Sequence, residues 1–199
     1  DQDWEGAAAD YDRAYKLDPE NSAVIHRKAS LLRSLGKYEE AILLFQKLIK
    51  IDPVNTRAFS SLGITYMNAR HFEEAKREFH YLLELSPDYQ FAHAALSSIY
   101  LFQGKPDSAL LQIRMEPDSG WNAAYRSLIE YELGNKQLAE KEFQEFIATG
   151  GHDWAYQIAE NYAWRGNADQ AFYWLERAFD QHDGGLDEIL GNPFFDGIR

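Results

Sequence analysis

The chain has 199 residues, a formal charge of −12 and no cysteine. The missing thiols exclude disulfides, thiolate metal ligands and a cysteine nucleophile. The net negative charge repels phosphate backbones and anionic lipid heads, so nucleic acid is not an expected partner. No run approaches the roughly 20 apolar residues of a bilayer span, so direct membrane insertion is not expected, and the first residues show no basic region ahead of an apolar one.

Residues 1–21 read as one amphipathic helix with Trp4, Ala7, Tyr11 and Ala14 on its apolar stripe. Residues 22–55 and 56–89 each read as two helices joined by a turn. In the second of these, the first helix is predicted over roughly Arg57 to Asn68, with Phe59, Leu62, Gly63 and Tyr66 on one face. The second helix runs from about Phe72 to Leu85, with Phe72, Ala75, Phe79 and Leu82 inward. Gly63 and Ala75 are small enough to let two helix backbones approach. Pro87 disfavours helical geometry at Ser86 and closes the unit.

Residues 90–119 form a shorter unit, whose second helix must stop near Met115 because Glu116-Pro117-Asp118-Ser119-Gly120 breaks it. Residues 120–151 are less regular, with Arg126 and Glu130 on a first helix where apolar residues are wanted. Residues 152–183 return to the pattern with Ala159, Tyr162, Gly166, Ala171, Leu175 and Ala178. In 184–199, a short helical candidate at Leu186–Leu190 is followed by Pro193, Phe194, Phe195 and Ile198. This tail is expected to cover the exposed face of the last unit.

An alanine marks the start of each second helix: Ala7, Ala41, Ala75, Ala109, Ala139 and Ala171. Four places on stands a large apolar residue: Tyr11, Phe45, Phe79, Ile113, Phe143 and Leu175. Five places earlier stands Gly36, Gly104, Gly134 or Gly166, suited to a left-handed helix cap; Arg70 is the exception. Such a hairpin cannot bury both faces alone and needs stacked neighbours.

On Gly63, Tyr66, Ala75, Phe79 and Pro87, the chain resembles the tetratricopeptide repeat (TPR) family. The resemblance implies an all-α, right-handed solenoid over 1–199. It would comprise a half repeat at 1–21, repeats at 22–55, 56–89, 90–119, 120–151 and 152–183, and a C-terminal cap at 184–199. The ending, WLERAF followed by LDEILGNPFFDGIR, is similar to the close of TPR regions in bacterial multidomain signalling proteins. On that likeness the chain is the sensing or docking half of a larger protein, with an effector domain upstream. The expected setting is cytoplasmic, or periplasmic if the parent is exported or membrane-anchored.

The resemblance also implies a concave groove lined by the first helix of each repeat. Carried onto this sequence, the groove positions include His26, Arg27, Arg33, Arg57, Ser60 and Asn68 in the early repeats. In the later repeats they include Phe91, Phe102, Trp121, Tyr125, Tyr131, Tyr156 and Trp164. Arginine forks suit carboxylates and phosphates, and aromatics are enriched at interface hot spots, although each ring can equally pack between repeats. The expected ligand is an extended or helical peptide with an acidic end and apolar anchors. The lysine–asparagine clamp of one TPR subclass is absent, since its places hold His26, Arg27 and Ser30, then Ser60, Ser61 and Ile64. A chaperone-tail adaptor is therefore not expected.

No residue pattern calls for catalysis, a metal or a cofactor. The six histidines show no HExxH spacing. The carboxylates around Gly184-Gly185 lack EF-hand spacing, and the glycine pairs do not form a phosphate loop. The reading is a non-enzymatic scaffold that binds a protein or peptide. Two alternatives are a homodimer through the exposed N-terminal helix and a small-molecule sensor using aromatics near Trp121 and Tyr156.

Overall fold

The computed structural model describes residues 4–199, and within them every regular element is helical. Contacts group the chain into two compact units, one ending at Ser86 and the other beginning at Pro87.

The first unit holds α1 (Trp4–Leu17), α2 (Ser22–Ser34), α3 (Tyr38–Ile51), α4 (Thr56–Asn68) and α5 (Phe72–Leu85). Asparagines start two of these helices. The Asn21 side chain accepts from the backbone N–H groups of Ala23 and Val24, and Asn55 accepts from that of Ala58. Asp-Pro or Ser-Pro pairs follow α1, α3 and α5, where the residue before proline is driven out of helical geometry. The pairs α2–α3 and α4–α5 form hairpins, and α1 on α2 and α3 on α4 stack them.

The small residues set the spacing. A Cβ built on Gly63 would lie 2.9 Å from the Phe79 ring, so the ring of α5 fills the place a side chain on α4 would need. Ala41, Phe45, Ala75 and Phe79 are fully buried. The turns adopt the left-handed backbone expected of them: φ is +73° at Gly36 and +65° at Arg70, the non-glycine member.

The second unit holds α6 (Ala92–Phe102), α7 (Pro106–Ile113), α8 (Ser119–Glu132), α9 (Lys136–Gly150), α10 (Ala155–Trp164) and α11 (Ala168–Asp180). Two 3₁₀ segments follow, η1 (Gly184–Glu188) and η2 (Pro193–Ile198). Three hairpins pair α6 with α7, α8 with α9 and α10 with α11, and the first helices meet as α6 on α8 and α8 on α10. Helix α7 has 8 residues and ends before Met115.

The segment that stops α7 has a second role. Phe91, at the start of α6, has φ +80° and no side-chain cap. The buried Glu116 carboxylate supplies one, accepting from the N–H groups of Phe91 and Ala94 at 3.0 Å each and of Asp118 at 3.2 Å. Irregular residues of the next repeat are also accounted for. Glu130 is buried and accepts from the Asn135 side chain at 2.7 Å, whereas Arg126 is exposed and pairs with Glu142 at 3.0 Å.

A Cβ at Gly134 meets nothing within 4 Å, but φ there is +83°. Gly134→Ala is therefore expected to cost only backbone strain, about 1 kcal/mol. Gly63→Ala is expected to cost more, about 1–3 kcal/mol, by forcing the Phe79 ring out of place. Urea unfolding of both variants checks this, and a Gly63 variant no less stable than the Gly134 variant would contradict the close-approach account.

Candidate functional site: the first-helix faces

In the first unit, α2 and α4 touch, and His26 lies between a ring and a hydroxyl. Its Nε2 is 3.2 Å from Ser61 Oγ, and its ring meets Phe45 edge-on at 5.5 Å. Arg33 donates from Nη1 to the Ser61 carbonyl at 3.3 Å. Burial pushes the His26 pKa down to about 4, and the guanidinium groups of Arg57, Arg33 and Arg27 push in the same direction. His26 is thus neutral at pH 7. Arg27 and Arg57 are exposed, whereas Ser60 and Asn68 are buried within α4. The sequence-derived candidates of this unit therefore divide into two exposed arginines, the half-buried His26 and Arg33, and two buried polar residues.

The second unit differs. Its candidate aromatics pack against the chain's own C-terminus. Phe194 lies 4.7 Å from Phe102 and 5.6 Å from Trp164, both edge-on, and stacks on Tyr125 at 5.5 Å. Phe195 meets Tyr156 edge-on at 5.5 Å. Trp121 is held between Phe91 and Trp154, and stacks on Tyr125 at 6.0 Å. Tyr131 lies apart from this group, with the Arg165 guanidinium 5.2 Å from its ring. With Arg165 it lines a half-open pocket of about 440 Å³.

Under the aromatics is a polar contact that sequence reading missed. Asn192 donates from Nδ2 to Glu160 Oε1 at 2.6 Å and to the Tyr156 hydroxyl at 2.9 Å. The Tyr125 hydroxyl donates to Glu160 Oε2 at 3.1 Å. Glu160 is 2% exposed. Loss of hydration pushes its pKa up to about 8, the donors from Asn192 and Tyr125 oppose that shift, and Asp183 adds to it. Burial likewise holds the Tyr125 and Tyr156 hydroxyls well above their ordinary range. The aromatic face at Tyr125 and Tyr156 is therefore occupied by Phe194, Phe195 and Asn192, whereas Trp121 packs on Phe91, Trp154 and Tyr125.

The tail packs on the last hairpin: η2 lies on α10, and η1 touches both α10 and α11, while Phe172 and Phe179 on α11 remain 54% and 65% exposed. Segment η2 fits there because α10 with α6 and α8 offers rings and a carboxyl matched to Asn192 and Phe194. Asp183 ties the approach down by accepting from Tyr156 N at 3.2 Å and Gly185 N at 2.9 Å. One signal in the sequence could have pointed here. Asn192 before Pro193 is a cap followed by the residue best suited to a first helical position.

Among the described residues, no group of three or more histidines and carboxylates converges as a metal site, and no helix is long and apolar enough to cross a membrane.

Residues 29–69 match the family model of the TPR repeat, and the fold is that of helical-repeat TPR structures. YrrB, described as a TPR protein with an unusual peptide-binding site, is 20% identical. The match covers 89% of this chain and 95% of that one, with a TM-score of 0.54. A TPR protein of Parabacteroides merdae is 20% identical over 90% of this chain and 73% of its own, with a TM-score of 0.63. The TPR protein TTC0263 of Thermus thermophilus is 23% identical over 85% of this chain and 95% of its own, also at 0.63. No curated protein matches the sequence.

The raised Glu160 pKa has a consequence for stability. The folded chain keeps this proton up to about pH 8, whereas an unfolded glutamate releases it near 4.5. Its contribution is fully present below pH 4.5 and declines as pH rises to 8. Glu160→Gln is expected to remove this decline, so that its melting temperature gains on the parent's between pH 5 and 8.5. Parallel melting curves across that range would contradict the assignment.

Proposed function

We propose that the chain is a non-enzymatic protein-interaction scaffold that holds an acidic peptide segment on the α2–α4 face of its first unit. The observation that carries this reading is the exposed pair Arg27 on α2 and Arg57 on α4, with Arg33 of α2 donating across to the Ser61 carbonyl of α4, in a chain whose net charge is −12. Guanidinium forks suit carboxylates geometrically. The TPR fold supports the scaffold role, and YrrB, a solved protein of that fold, is described as having a peptide-binding site. The ending similar to TPR regions of bacterial signalling proteins supports a docking or sensing half of a larger bacterial protein.

A labelled Glu-rich peptide with aromatic residues, set against its Lys-rich counterpart, tests the site by fluorescence anisotropy. Arg27→Ala/Arg57→Ala is expected to weaken binding of the acidic peptide about tenfold, the equivalent of about 1.4 kcal/mol, and added salt is expected to weaken it further. Undiminished binding by the double variant would overturn the assignment.

Self-association through α1 is a second reading. None of the described side chains of α1 is fully buried, and Trp4 and Leu17 are 37% and 81% exposed. Sedimentation over a range of concentrations is expected to show a dimer on this reading, and a strict monomer would remove it.

A further inference from the structure

The geometry points to a second binding site, in the other unit and for a different ligand. The face formed by α6, α8 and α10 is a seat for an Asn-Pro-Phe-Phe peptide. The chain occupies this seat with its own residues 192–195, and a partner segment of the same chemistry displaces them.

The seat reads side chains. Phe194 enters between Phe102, Tyr125 and Trp164, one ring from each of three successive first helices. Phe195 takes the neighbouring place on Tyr156. Asn192 is read by two acceptors at once, Glu160 and the Tyr156 hydroxyl. Glu160 is itself buried and is oriented from the other side by Tyr125. A buried carboxyl aimed at a side-chain amide discriminates strongly, because a segment without that amide leaves it unsatisfied.

The tail has the character of a ligand. It is organised by its own contacts: Asn192 Oδ1 accepts from Phe194 N at 3.0 Å, and Arg199 Nη2 donates to the carbonyls of Ile189 at 2.6 Å and Asn192 at 3.0 Å. A segment that keeps its shape through short-range bonds loses little entropy on docking. Its η2 part seats on α10 and leaves Phe172 and Phe179 of α11 exposed. Tethering gives the tail an effective concentration on the order of millimolar, so a free peptide of equal intrinsic affinity competes poorly until the tail is weakened.

The seat shares no residue with the arginine group of the first unit, so the two sites stand or fall separately. The probe is the labelled nonapeptide of residues 191–199, Gly-Asn-Pro-Phe-Phe-Asp-Gly-Ile-Arg, offered to the full chain and to its Asn192→Ala/Phe194→Ala variant. The variant is expected to bind this peptide at least tenfold more tightly than the parent chain does. A peptide carrying alanine at the same two places is expected not to bind. A variant with parental helical circular dichroism that takes up no peptide would overturn the proposal. Should the variant lose its helical signal, hydrogen exchange on the unaltered chain decides. Amides of 194–198 that open separately from those of α10, and faster, support a displaceable ligand; opening in a single step with α10 refutes it.

Discussion

Close approach of paired helices at small residues is the constraint on which the rest of this structure depends. In the first unit the Phe79 ring occupies the space in which a side chain at residue 63 would stand. The same alanine-and-large-residue ladder recurs in the second unit, where Ala109, Ala139, Ala171, Ile113 and Phe143 are buried. Bringing two backbones this close consumes one face of each helix. It leaves the first helices with a second face, and that face is where side chains become available to another segment.

The two units use that face differently. In the first, α2 and α4 present charge: burial holds His26 neutral, and the nearby guanidinium groups of Arg57, Arg33 and Arg27 act in the same direction. In the second, α6, α8 and α10 present rings, and the rings are already engaged with Phe194 and Phe195. Water is excluded there, which is why a carboxyl at Glu160 keeps its proton far above the ordinary range. Its two donors, Asn192 and Tyr125, make that burial tolerable, because a buried polar group without partners is costly. One polar contact therefore fixes the register of the tail, and the surrounding rings supply the apolar area.

Much of this was legible in the sequence because it is local. Prolines Pro19, Pro53 and Pro87 act on their immediate neighbours, and Gly36, Gly104, Gly134 and Gly166 mark turns by their own backbone freedom, with φ positive at all four. The alanine ladder requires no knowledge of distant residues. The long-range contacts were not legible. Glu116 reads as part of a helix-breaking run, yet it caps α6 across 25 residues from Phe91. Glu160 carries no mark in the sequence of its partner Asn192, which lies 32 residues away. Nothing in the period of the repeats reveals where a tail with no repeat of its own will settle. The candidate aromatics were found by their places in the repeat, and the segment that meets them was not.

The central claim is that the inner face of the second unit is filled by the chain's own Phe194 and Asn192. Nuclear Overhauser contacts in solution test this most directly, with Phe194 ring protons selectively labelled against those of Tyr125 and Trp164. The account predicts cross-peaks from Phe194 to both rings. A Phe194 spectrum with solvent-like shifts and no cross-peak to either ring would contradict it.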